Sequence, residues 1–327
     1  MHVYLAPMEG VVDYTLRQLL TAQPGLHQCV TEFVRVSDRL LPKSSFYRLA
    51  PELAEGGKTL SGVPVFVQLL GSDPDLLAVN AQRAVELGAL GVDLNFGCPA
   101  KTVNKSRGGA VLLKEPETLQ AIVTAVRQAV PAAVPVTAKM RLGYIDKSLA
   151  IENAQAIEAG GAQRLFVHAR TKLEGYKPPA HWEWIARLAQ EVKLPLVANG
   201  EVWSLDDYLR CQQVSGCVEV MIGRGLLANP FLAEQIAAYH QGHALAHLFT
   251  PEATWPRLVP MLIRYHKQVF MSLSERHVHG RLKQWLAQLQ RHYPQAEAFF
   301  QQVRKEKDPH ALLRALEQLQ SDSASAF

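Results

Sequence analysis

The stretch from Gly91 to Leu113 reads GVDLNFGCPAKTVNKSRGGAVLL. Its first five residues, Gly91 to Asn95, have the composition of a buried strand. Gly97 and Pro99 end that strand in a turn. Lys101, Asn104, Lys105, Ser106 and Arg107 then make a polar, basic loop. Gly108-Gly109 lets the backbone pass close to a neighbour before the apolar Ala110 to Leu113. Cys98 thus stands at the C-terminal end of a strand, on a turn, beside polar residues. A lone cysteine is ordinarily a small buried hydrophobe. In this setting it is placed for chemistry.

Working outward, seven further β-rich apolar runs resemble this one. They are Val3–Ala6, Cys29–Phe33, Val63–Leu70, Val134–Met140, Leu165–His168, Leu196–Asn199 and Val218–Ile222. Near-continuous apolar strands suit a parallel sheet covered on both faces. Amphipathic helices are expected between most of them, over residues 75–87, 116–130, 148–159, 181–192 and 205–214. Eight strands alternating with helices predict an α/β fold, a (β/α)8 TIM barrel. A doubly wound sheet is the alternative, but no GxGxxG follows the first strand. After about residue 240 the alternation stops. Residues 253–320 read as helices broken near Ser272–Ser274, Pro294 and Pro309. The expected division is a barrel over 1–242 and a C-terminal all-α helical bundle over 252–320, with residues 321–327 as a frayed tail.

The chain has 327 residues, 48% of them hydrophobic, enough for a large core. No apolar run approaches the roughly 20 residues that span a membrane. The N-terminus lacks the pattern of a signal peptide. Four cysteines without a CxxC pair fit a reducing cytoplasm, and Cys211 and Cys217 read as core. The net charge of +4 lies wholly beyond residue 246, where 11 Lys+Arg face 7 Asp+Glu. Seven bases fall within 257–291, among them Arg257, Arg264, Arg276, Arg281 and Arg291, with Tyr265, Phe270 and Trp285 interleaved. That pattern suits a polyanion; a solvated helix face is the plainer alternative.

A barrel's active site lies at the C-terminal ends of its strands. Those ends carry Pro7-Met8-Glu9, Arg35, Gln68, Asn95 with Cys98, Lys139 with Arg141, His168 with Arg170, Asn199-Gly200-Glu201, and Gly223-Arg224. Each has a structural reading by itself. Polar residues at the same end of every strand point to a lined pocket, because buried polar groups cost free energy unless paired. Gly200 and the Gly223-Arg224-Gly225 turn follow the last two strands, where barrels commonly bind phosphate, and Arg224 can grip an anion.

These residues together resemble the tRNA-dihydrouridine synthases. The resemblance runs through LAPMEG (5–10), TEFVRV (31–36), VQLLG (67–71), GVDLNFGCPAKTVN (91–104), VHARTKLEGY (167–176), ANGE (198–201) and MIGRG (221–225). TEFVRV and RLKQWL (281–286) are most similar to the C-type branch, which modifies uridine 16 of the tRNA D-loop. The resemblance implies an FMN cofactor, NADPH as reductant, and a monomer without metal. It places Pro7, Met8 and Glu9 around the flavin, and Gln68 and Lys139 against its ring. His168, Asn199, Gly200, Glu201, Gly223 and Arg224 would hold the ribityl chain and phosphate. Asn95 and Tyr176 would meet the uridine, and Cys98 would give the proton to C5 after hydride reaches C6. Arg35, Arg276 and Arg281 would contact tRNA. Phe96 is bulkier than the family residue expected there, and Arg107 stands where the family has small residues. A flavin-dependent reductase of a free pyrimidine is the alternative enzyme, and an RNA binder with an inactive barrel the alternative outside catalysis.

Overall fold

The computed structural model describes residues 1–243, 246–272 and 275–325. Nine parallel strand segments form its sheet: β1 (Val3–Leu5), β2 (Leu26–Val30), β3 (Val34–Arg35), β4 (Val65–Leu70), β5 (Val92–Phe96), β6 (Val136–Gly143), β7 (Arg164–Thr171), β8 (Leu196–Asn199) and β9 (Val220–Ile222). β1 pairs with both β2 and β9, and β2 pairs with β4, so the sheet closes. The expected second strand, Cys29–Phe33, is split. β2 stops at Val30, and Thr31 turns its hydroxyl oxygen to accept the Gln68 N–H at 3.1 Å. The chain rejoins β4 as β3, with Val34 beside Leu69. The barrel therefore has eight staves, one of them interrupted.

Alternation along the strands sorts the interior into layers. Tyr4, Val30, Phe66, Phe166, Val197 and Met221 form one buried apolar cluster. Two residues farther along four of these strands stand Gln68, His168, Asn199 and Gly223. Side chains two apart share a face, so an apolar floor underlies a polar layer at the strands' C-terminal ends.

The helices expected between strands are present as Pro74–Glu86, Pro116–Ala129, Ala150–Ala159, Trp182–Glu191 and Leu205–Ser215. Pro74 opens its helix, and the Asp73 carboxylate caps it by accepting from the Leu76 N–H at 2.9 Å. The segment after Cys98 differs from the expected loop. Lys101–Lys105 is a short helix, Arg107 takes a left-handed φ of 57°, and Gly109–Lys114 is a 3-10 turn. Five residues are too few to carry a periodic signal. The side chain of Asn104 folds back to donate to the carbonyls of Cys98 and Ala100 at 2.9 and 2.8 Å.

The chain divides into two compact units: Met1–Tyr14, Leu26–Val202 and Asp206–Gly223 in one, and Thr15–Gly25, Trp203–Leu205 and Arg224–Phe327 in the other. The second contains helices Pro251–Ser272, Glu275–Leu289, Pro294–Val303 and Pro309–Ser325. Pro294 and Pro309 start helices, as their missing N–H allows, and the last helix continues through the expected frayed tail to Ser325. Tyr265 and Trp285, read from sequence among the bases of a polyanion face, are buried instead. Their rings meet edge to face at 5.0 Å. His266 is buried too, with its Nε2 2.8 Å from the carbonyl of Pro309. Among the described residues no helix is long and apolar enough to cross a membrane.

Gly91 shows how tightly the barrel is filled. A methyl there would stand 2.3–2.6 Å from the Phe66 ring. Gly91→Ala is expected to destabilise the chain by about 1–3 kcal/mol through overpacking. Urea denaturation should show Phe66→Leu recovering part of that loss in the Gly91→Ala background.

Candidate active site

Cys98 is half-buried on the turn that follows β5. Its backbone is held on both sides. The Asn95 side-chain oxygen accepts the N–H groups of Gly97 and Cys98 at 3.0 and 2.9 Å. The Cys98 carbonyl accepts from Asn104 Nδ2 and from the Ala110 N–H at 2.9 and 3.1 Å. Gly109 has φ 67°, and a Cβ there would lie 2.8 Å from the Cys98 carbonyl oxygen. That is the close approach the glycine pair implied. Burial pushes the Cys98 thiol above its ordinary pKa, and Glu9 adds to this. The N–H of Ala100 and the charges of Arg141 and Arg35 oppose it. The thiol is therefore protonated at neutral pH, able to give a proton and poorly able to act as a nucleophile.

Lys139 lies beside Asn95 in the β5–β6 register. Its ammonium donates to Asn199 Oδ1 at 3.0 Å, and Asn199 Nδ2 donates to the Met221 carbonyl at 2.8 Å. Burial, and then the charge of Arg141, bring Lys139 down to about 8, against the pull of Asp93. It remains cationic at pH 7. Gln68 donates to Asp93 and accepts from Asn95, each at 2.7 Å.

Around the mouth, His168 is buried with its Nε2 3.3 Å from Arg170 Nη1. Arg170 is fully buried. It forms an ion pair with Glu201 and donates to the carbonyl of Lys177 at 2.7 Å. Glu201 thus presents its carboxylate to Arg170, and φ values of 114° at Gly200 and 59° at Glu201 press that loop onto His168. A Cβ on Gly200 would meet the His168 ring at 2.8 Å. Met8 lies against Gly223, where its sulfur would be 3.3 Å from an added Cβ. Pro7 and Glu9 follow β1 beside it. Burial and then Glu32 raise the Glu9 carboxyl.

The residues expected to meet RNA are more scattered. Arg35 is exposed and donates to Ser106 Oγ at 2.7 Å, tying β3 to the segment after Cys98. Tyr176 is exposed with its ring 5.1 Å from the Arg141 guanidinium. In the second unit, Arg224 lies over the Trp203 ring at 4.8 Å, and Arg281 donates to Gln284 at 2.7 Å. Arg276 falls in helix Glu275–Leu289, and its side chain lies outside the described residues. Among the described residues no cluster of three or more His, Cys, Asp or Glu side chains could hold a metal ion.

The family model for Dihydrouridine synthase (Dus) matches residues 4–323. The chain belongs to this family. A tRNA-dihydrouridine(16) synthase of Pseudomonas putida is 56% identical over 316 residues, 97% of this chain and 96% of the relative. One of Aquipseudomonas alcaligenes is 56% identical over 308 residues, 94% and 96% of the two chains. Among solved structures, histamine dehydrogenase from Rhizobium sp. 4-9 is similar with a TM-score of 0.55 over 81% of this chain and 48% of its own. At 13% identity that is a likeness of fold alone.

For a dihydrouridine synthase, two residues stand close to the Cys98 turn that the sequence left without a role: Arg141, read only as a strand-end polar residue, and Asp93. Arg141 is 2% exposed and donates to the carbonyls of Gly97, Thr171 and Gly175 at 2.8, 3.1 and 2.8 Å. Asp93 is fully buried between Gln68 and Thr137. Its signal was present in the alternation, since Asp93 and Asn95 share a strand face.

The charges around Cys98 set its reactivity in a testable direction. Glu9→Gln removes a charge that raises the thiol, so the iodoacetamide alkylation profile against pH should shift to lower pH. Arg141→Met removes a charge that lowers it, and the profile should shift to higher pH. Mass spectrometry of the Cys98 peptide across a pH series reads both.

Proposed function

We propose that this chain reduces a uridine of tRNA to 5,6-dihydrouridine, with FMN as cofactor and NADPH as reductant. The observation that carries the reading is Cys98 on a braced turn that follows Asn95, with Lys139 beside Asn95 on the next strand at the mouth of one barrel. Membership of the family and the names of its relatives support tRNA as the substrate. The finer parts of the proposal are position 16 of the D-loop, a monomeric enzyme and a cytoplasmic location.

The residues suit a flavin. An apolar floor lies under a layer of polar side chains, Gln68, Lys139, His168 and Asn199. Gly200 and Gly223 let the backbone pass close to His168 and Met8, so those side chains can line the site. In this assignment Pro7, Met8 and Glu9 border the cofactor, while Gln68 and Lys139 face its ring. His168, Asn199, Gly200, Glu201, Gly223 and Arg224 serve the ribityl chain and phosphate. When bound and reduced, FMN supplies the hydride that adds to C6 of the uracil. Lys139 holds positive charge where negative charge gathers. Cys98 gives its proton to C5 from the other side, as a positioned general acid.

The uridine must leave its stack to reach this pocket, at a cost of a few kcal/mol. Asn95 and Tyr176 receive it, and Arg35, Arg276 and Arg281 contact the RNA in this reading, with residues 252–320 acting as the tRNA-binding domain. Phosphate contacts from that domain would offset the unstacking cost.

Two measurements test the reading. Cys98→Ala should lower kcat by about 10²–10⁴ while the flavin is still reduced by NADPH and unmodified tRNA still binds, as stopped-flow absorbance and filter binding would record. Anaerobically reduced wild-type protein should reoxidise rapidly with tRNA lacking dihydrouridine and stay reduced with orotate. The reverse pattern would replace tRNA with a free pyrimidine. Mapping dihydrouridine in the product tests position 16.

A further inference from the structure

We infer that Asp93 is a positioning residue: its buried carboxylate sets which way the Gln68 amide points, and through Gln68 and Asn95 fixes the backbone of the Cys98 turn. Its effect on turnover rests on the proposed role of Cys98, whereas the relay itself does not.

The strand register brings the members together. Gln68 pairs with Asp93 across β4 and β5, and Asp93 pairs with Thr137 across β5 and β6. Asp93 Oδ1 accepts from the Thr137 hydroxyl at 2.5 Å, and Oδ2 accepts from Gln68 Nε2 at 2.7 Å. An ionised carboxylate only accepts hydrogen bonds. The nitrogen end of Gln68 must therefore face it, which turns Oε1 the other way, toward Asn95. Asn95 then presents Nδ2 to that oxygen at 2.7 Å. Its own Oδ1 is left facing the N–H groups of Gly97 and Cys98. Reversing either amide would set acceptor against acceptor in a buried layer, which costs more than the bond itself contributes. Gln68 can bond either way round, and Asn95 is held at its far end by the Gly97 and Cys98 N–H groups, which can only donate; the carboxylate at the other end fixes Gln68 to agree with them.

Thr137 marks the difference between direction and packing. Its hydroxyl adapts to whatever faces it, so it satisfies Asp93 without orienting anything. The groups that face Asp93 are Gln68 from β4 and Thr137 and Lys139 from β6. Burial raises the carboxyl to about 6, against those two hydrogen bonds and the Lys139 charge. Below that pH the group gains an O–H donor, and the direction it imposes is no longer unique.

The test is hydrogen exchange at the Gly97 and Cys98 amides of the FMN-loaded full chain, read by NMR. Asp93→Asn keeps the shape and removes the direction. It should speed exchange at both amides about tenfold, while Thr137→Val changes it less than about threefold. With unmodified tRNA, Asp93→Asn should lower kcat about tenfold and leave KM within about threefold. Unchanged exchange in Asp93→Asn overturns the relay. An equal response to Thr137→Val also overturns it, because the layer is then merely loosened. Should Asp93→Asn fail to fold, the wild type carries the test. Exchange at the two amides, corrected for its intrinsic pH dependence, should quicken as pH falls through about 6, and a flat corrected profile overturns the relay. Faster exchange with unchanged kcat removes Asp93 from turnover. Wild-type protein that shows the exchange response but no turnover on tRNA overturns the proposed reaction instead.

Discussion

A closed parallel barrel gives each strand one inward face, and every second residue must stand on it. This constraint governs the molecule. The inward positions of the lower layer are apolar on six strands and pack on one another, while β5 and β6 carry Asp93 and Thr137, which bond each other. Two residues along, the same faces carry Gln68, Asn95, Lys139, His168 and Asn199. Gln68, Asn95, His168 and Asn199 are buried and Lys139 is half-buried, so these polar groups satisfy each other across strands. Asn95 bonds Gln68, Gln68 bonds Asp93, and Lys139 bonds Asn199, which bonds the Met221 carbonyl. The layer is ordered as a consequence of being enclosed.

Enclosure also decides the charge states. Arg141 and Arg35 favour a Cys98 thiolate, and a thiolate would be useless as an acid. Burial is the largest influence on Cys98, and Glu9 adds to it, so the proton stays. Burial acts on Lys139 in the opposite chemical sense, loosening its proton, yet the Asp93 charge limits the fall, and at about 8 it stays charged at pH 7. Desolvation disfavours whichever form is ionised. One shared environment therefore yields a neutral acid and a cation at the ends of two adjacent strands.

Much of this was legible in the sequence, and the parts that were not share physical causes. Eight apolar runs predicted the staves because parallel strands are buried on both faces. The break at Thr31 escaped because a side-chain oxygen replaced a ladder partner there, which no apolar pattern records. The helix Lys101–Lys105 escaped because five residues cannot show a period. Tyr265 and Trp285 were read with the bases around them, although helix Pro251–Ser272 buries a broad stripe that includes Tyr265. Strand-end polar residues were found by position alone. Asp93 was not, because it lies one alternation below the strand end, where an acid looks like an exception rather than a support. The pairing of Arg170 with Glu201 was hidden for a different reason: 31 residues separate them, and the left-handed turn at Gly200 and Glu201 brings them together.

The Cys98 turn is where these threads meet. Asn95 holds its N–H groups from within the barrel. Arg141 holds the Gly97 carbonyl from β6, and Asn104 and Ala110 hold the Cys98 carbonyl from the segment that follows. Arg35 pins that segment in turn through Ser106. The residue itself is only half-buried. Its placement therefore comes from backbone hydrogen bonds rather than from packing around the sulfur. That arrangement suits an acid that must be reached by a large substrate. Groups packed over the thiol would have to move aside for a nucleotide, whereas bonds to the backbone behind it can stay made while the substrate enters and leaves.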